Sequence, residues 1–159
     1  MELLLKDDDM IVSKTDIKGK ITYGNQIFIK YSGFSEEELL GQPHNIIRHP
    51  DMPKCVFKLL WDRIQNGKEI FAYVVNQAKN GDYYWVLANV TPSYDVRGNI
   101  IGYYSVRRKP KSEAVKAIKP IYKALLDAEK IGGMHAGTQL LKKTLISQGI
   151  TYDAFVLSL

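Results

Sequence analysis

The residues best suited to chemistry lie in one short segment, Gly41–Pro53, with the sequence GQPHNIIRHPDMP. It contains two of the three histidines of the chain, His44 and His49, together with Arg48 and Asp51. Imidazole, guanidinium and carboxylate groups can hydrogen-bond to a polar ring, pair with a phosphate or bind a metal. A connecting loop does not need polar groups at this density, so the segment is the first candidate for a binding site.

Three of the six prolines of the chain, Pro43, Pro50 and Pro53, stiffen this segment. Each fixes its own φ and biases the preceding residue toward extended geometry, so we expect no regular secondary structure here. A purely structural interpretation is open as well. In that interpretation Asp51 caps the helix that follows, Met52 and Pro53 occupy its first turn, and both histidines are solvated or satisfied in the core.

A second candidate is an amide on a predicted strand. Residues 69–78 alternate in character, and Asn80-Gly81, a strong hairpin signal, joins them to residues 82–92. One face of the first strand would carry Ile70, Ala72, Val74, Asn76 and Ala78. If this face is inward, Asn76 is a buried amide that needs partners, which a ligand's polar ring edge or another side chain would supply.

Further elements must position these groups. Residues 10–24 are predicted to form a β-hairpin, and Asn25 is placed to cap the short helix that follows. Residues 53–65 carry an apolar helical stripe that includes Trp61, an aromatic that would belong to the core or flank an aromatic ligand. Residues 100–107 predict a third long strand.

The pattern changes to helices after Ser112. Apolar spacing predicts an amphipathic helix in which Pro120 kinks or restarts the run, and Gly132-Gly133 marks a break. Residues 134–147 and 152–158 indicate two further short helices.

Composition fits one folded domain with an appendage, since 45% of the 159 residues are apolar. We divide the chain into a domain at 10–109 and a helical extension at 110–159, which we interpret as an output or interface element. No stretch is long and apolar enough to span a membrane, the first residues do not form a signal peptide, and the single cysteine, Cys55, fits a reducing compartment. We therefore expect a soluble cytoplasmic protein with no membrane association.

The net charge of +5 comes from residues 107–119, which contain six basic residues and one acidic residue, Glu113. Such a run is a solvated linker or a docking surface for an acidic partner or a phosphate backbone. No helix-turn-helix or base-reading motif accompanies it, so we do not expect nucleic-acid binding.

The segment GQPHNIIRHPDMP, with YSGF before it at 31–34 and KNGDYYWV after it at 79–86, resembles the PAS domain of Aer-type aerotaxis and redox sensors. The resemblance covers about residues 10–109. It implies an α+β PAS fold, in which a five-stranded antiparallel sheet carries short helices over one face and C-terminal helices follow. It also implies a cytoplasmic sensor domain, not an enzyme, that holds FAD non-covalently and signals redox state or oxygen to a chemotaxis or signal-transduction partner.

On this resemblance, parts of a flavin find candidate partners in the chain. The diphosphate needs cations, which Arg48 and Lys79 would supply, and the polar ring edge suits the amide of Asn76. His49 would stack on the cofactor or hydrogen-bond to it.

The remaining candidates are structural or aromatic. Asp51 is assigned to the scaffold at a helix start, and Asn25 to the cofactor region by resemblance. Aer-type flavin domains carry a tryptophan near the position of Ile70-Phe71, so the aromatic wall would be Phe71 or another residue such as Trp85, or would be missing. Trp61 is a further candidate to flank the ring.

Two alternatives to the flavin stay open. A haem could take His44 or His49 as its axial ligand, which would make a gas sensor. A cofactor-free PAS module would use the sheet or the terminal helices to bind another chain. Zinc is disfavoured because two histidines and Asp51 do not make a closed site. We also expect a homodimer, formed through terminal segments and sheet faces.

Overall fold

The computed structural model describes residues 1–159 and contains one antiparallel sheet of five strands. The strands are β1 (Met10–Thr15), β2 (Ile21–Gly24), β3 (Ile70–Gln77), β4 (Tyr83–Tyr94) and β5 (Ile100–Arg108). Their order across the sheet is β2-β1-β5-β4-β3, so β2 and β3 form the two edges. This is the α+β class and the five-stranded antiparallel sheet expected from the resemblance.

Short helices lie over one face of the sheet, as expected. They are α1 (Gln26–Ser32), α2 (Glu36–Leu39), a 3₁₀ turn (His44–Ile47) and α3 (Lys54–Gln65). The 3₁₀ turn corrects the expectation of no regular structure, because a single tight turn fits between the prolines at 43 and 50. The C-terminal part forms α4 (Ser112–Gln148) and α5 (Tyr152–Ser158). None of these helices combines the length and apolar character that a membrane crossing requires.

The predicted register of the β3–β4 hairpin is confirmed. Asn76 pairs with Tyr84, Val74 with Val86 and Ala72 with Ala88, so these side chains share one face. That face is the inward one, and Asn76 is only 4% exposed.

The segment Gly41–Arg48, which we call the crossing segment, spans the inner side of the sheet from one edge to the other. At the β2 edge the N–H of Gly41 donates to the carbonyl of Ile21, and the N–H of Ile21 donates to the carbonyl of Gln42, both at 2.8 Å. At the β3 edge Arg48 forms an antiparallel bridge with Asn76. The chemistry-bearing loop is therefore fastened to the sheet at both of its ends.

The C-terminal helices pack on the outer side of β3 and β4. Tyr122 of α4 stacks on Trp85 with ring centroids 6.1 Å apart. Its hydroxyl donates to the carbonyl of Tyr73 at 2.6 Å and shares a 2.6 Å hydrogen bond with the hydroxyl of Tyr152 in α5. One continuous buried cluster includes these helices and the sheet.

Helix α4 is bent into a hairpin. Gly133 has φ 72° and ψ −168°, a conformation that side-chain-bearing residues rarely adopt, and it lies in the predicted glycine break. Beyond it the chain folds back, so that Leu140 and Thr144 face Pro120 and Ile121 across a narrow groove. The helix runs through Pro120, whose missing N–H leaves free the carbonyl of Lys116, an exposed residue that can bond to water.

Replacing Tyr122 with phenylalanine should lower the free energy of unfolding by about 1–3 kcal/mol, because the Tyr73 carbonyl and the Tyr152 hydroxyl would each lose a buried partner. Urea unfolding followed by circular dichroism measures the change. Tyr94→Phe is the matched control, since it removes a hydroxyl from an exposed tyrosine that bonds to Gly67. Equal destabilisation by the two substitutions would contradict the expectation.

Candidate ligand-binding cavity

A cavity of about 670 Å³ lies between the inner face of the sheet, helix α3 and the crossing segment. Its volume falls in the range of sites that enclose drug-sized ligands. Side chains from four strands form its floor: Ser13, Thr15, Val74, Asn76, Ala88, Val90, Tyr103, Ser105 and Arg107.

Helix α3 supplies the apolar wall opposite this floor. The stripe predicted from the sequence provides Phe57, Leu60, Trp61 and Ile64, all of which line the cavity. Trp61 meets Tyr103 edge to face, with ring centroids 5.5 Å apart and an interplanar angle of 90°. Aromatic and aliphatic groups on facing walls suit a planar ligand.

A buried cation lies at the floor of the cavity. Arg107 is 2% exposed, and one of its terminal nitrogens donates to the hydroxyl of Ser13 at 2.7 Å. The other lies 3.2 Å from Nε2 of His44, and the guanidinium carbon lies 4.7 Å from the centre of the Phe28 ring. No carboxylate forms an ion pair with Arg107. Burial lowers the pKa of Arg107 to about 10, so the group stays charged at neutral pH.

A second polar group forms where the crossing segment meets β3. The guanidinium of Arg48 lies 3.8 Å from the centre of the Phe57 ring, and its Nε has no hydrogen-bond partner. The Nε of Arg107 has none either, and neither has the side-chain nitrogen of Asn76, although the buried hydroxyl of its cross-strand neighbour Tyr84 lies close to this amide. Buried donors are rarely left unpaired, so these three nitrogens at one cavity indicate a site for a ligand that offers acceptors.

Three of the residues predicted to hold a flavin therefore line the cavity, namely Arg48, Asn76 and Trp61, and so does His44, the candidate haem ligand. Sequence reasoning missed Arg107, which we assigned to a basic surface run. Alternation along β5 was the available signal, because residues 103, 105 and 107 share one face.

Other predicted residues lie elsewhere. Lys79 pairs with Glu38 at 2.6 Å outside the cavity. The prediction that Asp51 caps helix α3 is wrong, because its side chain is 77% exposed and Pro53 holds the N-cap position. His49 packs on Tyr83 with ring centroids 5.6 Å apart, and its Nδ1 accepts the N–H of Asp51 at 3.0 Å.

Asn25 is the N-cap predicted for helix α1. Its side-chain oxygen accepts the N–H of Phe28 at 3.0 Å, and the same amide bonds to β1, so it braces the sheet and does not line the cavity. Phe71 and Trp85 lie on the outer face of the sheet, because they alternate with the inward residues. Neither is brought to the cavity, and Tyr103 and the α3 stripe provide aromatic contact instead.

His44 makes stability depend on pH. Burial, with repulsion from Arg107 as a smaller cause, lowers the pKa of His44 to about 3. The imidazole is therefore neutral in the folded chain at pH values where it takes up a proton in the unfolded chain, below about pH 6.5. Stability from this group is present above pH 6.5 and is lost as the pH falls toward 3. Because the side chain of His44 is only partly buried, we expect a loss of about 1–2 kcal/mol between pH 7.5 and pH 5. Urea unfolding at the two pH values measures it, and His44→Gln should abolish this part of the pH dependence. An unchanged dependence in that variant would contradict the assignment.

These features define a class of protein: an α+β domain in which an antiparallel sheet and short helices enclose one ligand-sized cavity. A family model described as the PAS fold matches residues 21–107. The chain belongs to this family.

Two curated proteins contain a region similar to this chain. It is 41% identical over 138 residues to the aerotaxis receptor of Escherichia coli (strain K12), a match that covers 87% of this chain and 27% of the receptor. It is 25% identical over 105 residues to the nitrogen fixation regulatory protein of Klebsiella pneumoniae, covering 66% of this chain and 21% of the regulator. The chain thus spans about a quarter of the length of these relatives, and the similarity to the aerotaxis receptor confirms the Aer-type resemblance.

Solved structures confirm the fold. The light-state structure of the blue-light photoreceptor Aureochrome1 LOV superposes with a TM-score of 0.62 at 24% identity, covering 71% of this chain and 91% of that one. A light-oxygen-voltage domain whose mechanism was addressed with a flavin analogue gives a TM-score of 0.61 at 21% identity, covering 72% and 86%.

Proposed function

We propose that this PAS domain is a redox or oxygen sensor that holds FAD non-covalently in the cavity and signals its state to a partner protein. The observation that carries the proposal is the set of unpartnered buried donors, Arg48 Nε, Asn76 Nδ2 and Arg107 Nε, at one cavity of about 670 Å³. A flavin offers ring carbonyls and phosphate oxygens, which are the acceptors that such donors need.

The residues fit the parts of a flavin. The amide of Asn76 suits the polar ring edge, and the guanidinium of Arg48 suits the diphosphate. Trp61 and Phe57 on helix α3 offer an apolar wall for the ring. The chain has the fold of a light-oxygen-voltage domain that was studied with a flavin analogue, which supports a flavin as the ligand.

Arg107 suits a ligand whose charge changes. When bound, a flavin takes up and releases electrons reversibly. Arg107 is a buried cation with only neutral neighbours, so it favours negative charge on a group beside it. Ser13 and His44 hold the guanidinium in place, which keeps its charge aimed at the cavity.

A haem fits this chain less well than a flavin. Nε2 of His44 lies 2.9 Å from the hydroxyl of Ser13 and 3.2 Å from a nitrogen of Arg107, so the atom that would bind iron is already engaged. His49 is not among the cavity-lining residues.

The partner is proposed to be another signalling protein. The relatives are an aerotaxis receptor and a nitrogen fixation regulatory protein, and this chain matches only part of each. No catalytic turnover is needed, because a change in the cavity can shift an equilibrium between two arrangements of the helices. Association into a homodimer remains a prediction, and a monomer mass by light scattering at high micromolar concentration would contradict it.

An absorption spectrum of freshly purified chain tests the proposal. Flavin bands, with release of FAD on denaturation, are the expected result. A Soret band would show that the chain binds haem and would contradict the proposed flavin. Aromatic absorption alone under every expression condition would overturn the proposal in favour of a cofactor-free interaction module.

A further inference from the structure

Helix α3, which forms the apolar wall of the cavity, has no cap from its own neighbourhood. Pro53 occupies its N-cap position without a side-chain hydrogen bond, and Asp51 points to solvent. The first N–H groups of a helix need acceptors, and leaving them unpaired weakens its first turn.

The acceptors come from helix α4, on its first arm before the bend at Gly133. One carboxylate oxygen of Glu129 accepts the N–H of Lys54 at 2.9 Å, and the other accepts the N–H of Cys55 at 2.8 Å. The negative charge also lies at the positive end of the α3 dipole. One residue more than seventy positions away in sequence thus completes the helix that lines the cavity.

The bend in α4 makes room for this contact. A Cβ at Gly137 would lie 2.6 Å from both Cγ and a carboxylate oxygen of Glu129, closer than such atoms approach one another. Gly137 sits on the returning arm of the hairpin, beyond the turn at Gly133. Both arms of α4 are therefore fitted around the Glu129 side chain.

We propose that Glu129 is a positioning residue that holds helix α3 against the cavity and thereby couples the contents of the cavity to the α4 hairpin. The coupling to a cofactor rests on the proposed function, whereas the hold on α3 does not. A ligand that packs on Phe57 and Trp61 favours the docked position of α3, and docked α3 presents the N–H groups that Glu129 binds. The two contacts are thermodynamically linked. If loss of the cap lowers the affinity for the ligand by a given factor, loss of the ligand weakens the cap by the same factor.

Cys55 is a built-in probe of this contact. It is the only cysteine of the chain, it is 2% exposed, and its own N–H is one of the two bonded to Glu129. Release of the cap would expose its thiol, so the rate of labelling by a thiol reagent reports the population of the open form when opening and closing are fast. Burial and the Glu129 carboxylate also raise the pKa of this thiol. Rates are therefore compared at several pH values, because a change in opening scales the rate equally at each pH whereas a change in the thiol pKa does not.

The first experiment compares Cys55 labelling in the full chain without cofactor. Glu129→Gln should raise the labelling rate by about twofold to thirtyfold, the range that corresponds to loss of a helix cap. Gly137→Ala should act in the same direction, because it displaces the carboxylate without removing it. Asp127→Asn, which removes an exposed carboxylate paired with Lys123 on the same helix, should label like the wild type. Equal rates in wild type and Glu129→Gln would overturn the proposal, and circular dichroism checks that each variant is folded.

The second experiment adds FAD and follows labelling and flavin binding together. FAD should slow labelling of the wild type, and Glu129→Gln should bind FAD more weakly while Asp127→Asn does not. Equal FAD affinity in Glu129→Gln and wild type would overturn the coupling. If the wild type binds no FAD, the proposed function fails and the coupling fails with it, whereas faster labelling of Glu129→Gln would still show that Glu129 holds α3.

Discussion

Replacing Arg107 with methionine should stabilise the cofactor-free chain and weaken its binding of FAD at the same time. An unpaired buried cation is costly, and exchanging buried charges for apolar groups of similar volume is often stabilising by about 1–4 kcal/mol. Ser13 and His44 keep each other as partners after the change, since they lie 2.9 Å apart. The same cation contributes binding energy once an acceptor lies beside it. We therefore expect Arg107→Met to lower the affinity for FAD about tenfold to a hundredfold, which corresponds to about 1.5–3 kcal/mol.

Thermal unfolding with and without FAD measures both effects in one experiment. The melting temperature of the cofactor-free variant should rise by about 2–4 °C for each kcal/mol gained, and the further rise on adding FAD should shrink. Arg108→Met is the matched control, because it removes the exposed neighbouring arginine of the same strand. A variant that is less stable and still binds FAD fully would contradict the role of Arg107 as an unpaired cation reserved for the ligand.

Replacing Arg48 with alanine should yield folded protein that retains much less FAD. The prolines around Arg48 stiffen the crossing segment, and the backbone bridge to Asn76 holds it in place, so little further ordering is needed when a phosphate binds. A charge-assisted pair in such a shielded site is worth roughly 1.5–3 kcal/mol, which is about a tenfold to hundredfold change in affinity. Asn76→Ala should also lower FAD retention, by a smaller amount.

The measurement is FAD occupancy after purification, set beside the melting temperature of each variant. Lys79→Ala is an informative control, because it removes a cation that the sequence placed at the diphosphate and the structure places beside Glu38. We expect it to leave occupancy unchanged. Full occupancy in both Arg48→Ala and Asn76→Ala would remove the chemical basis of the FAD proposal.

Local patterns predicted the elements of this fold well. The alternation of β3, the Asn80-Gly81 turn and the stripe of α3 each depend on neighbours a few residues apart, and all three occur as expected. The same alternation placed Asn76 on one face with Val74 and Ala78, and the structure shows that this face is the inward one. Such signals are carried by the chain locally and need no knowledge of what packs against them.

The features that sequence reasoning missed depend on distant parts of the chain. The alternation along β5 places Arg107 on the same face as Tyr103 and Ser105, but which face is inward depends on what packs against the sheet, and residues 107–119 do not reveal that. The sequence favours Asp51 as the cap of α3, but Glu129, 75 positions beyond Lys54, accepts the N–H groups there. Lys79 and Trp85 both belong to the β3–β4 hairpin but do not line the cavity. Lys79 forms an ion pair with Glu38, and Trp85 lies on the outer face of the sheet.

The crossing segment has a consequence for self-association. A sheet edge with free N–H and C=O groups is a template on which another chain can add a strand, and such addition leads to swapped dimers or aggregates. Here the segment binds β2 at one edge and β3 at the other, and Tyr122 takes up the Tyr73 carbonyl on β3 as well. Strand addition is therefore blocked at these positions in the folded chain, which favours a dimer formed through sheet faces or helices. Variants that detach this segment should aggregate as well as lose their ligand.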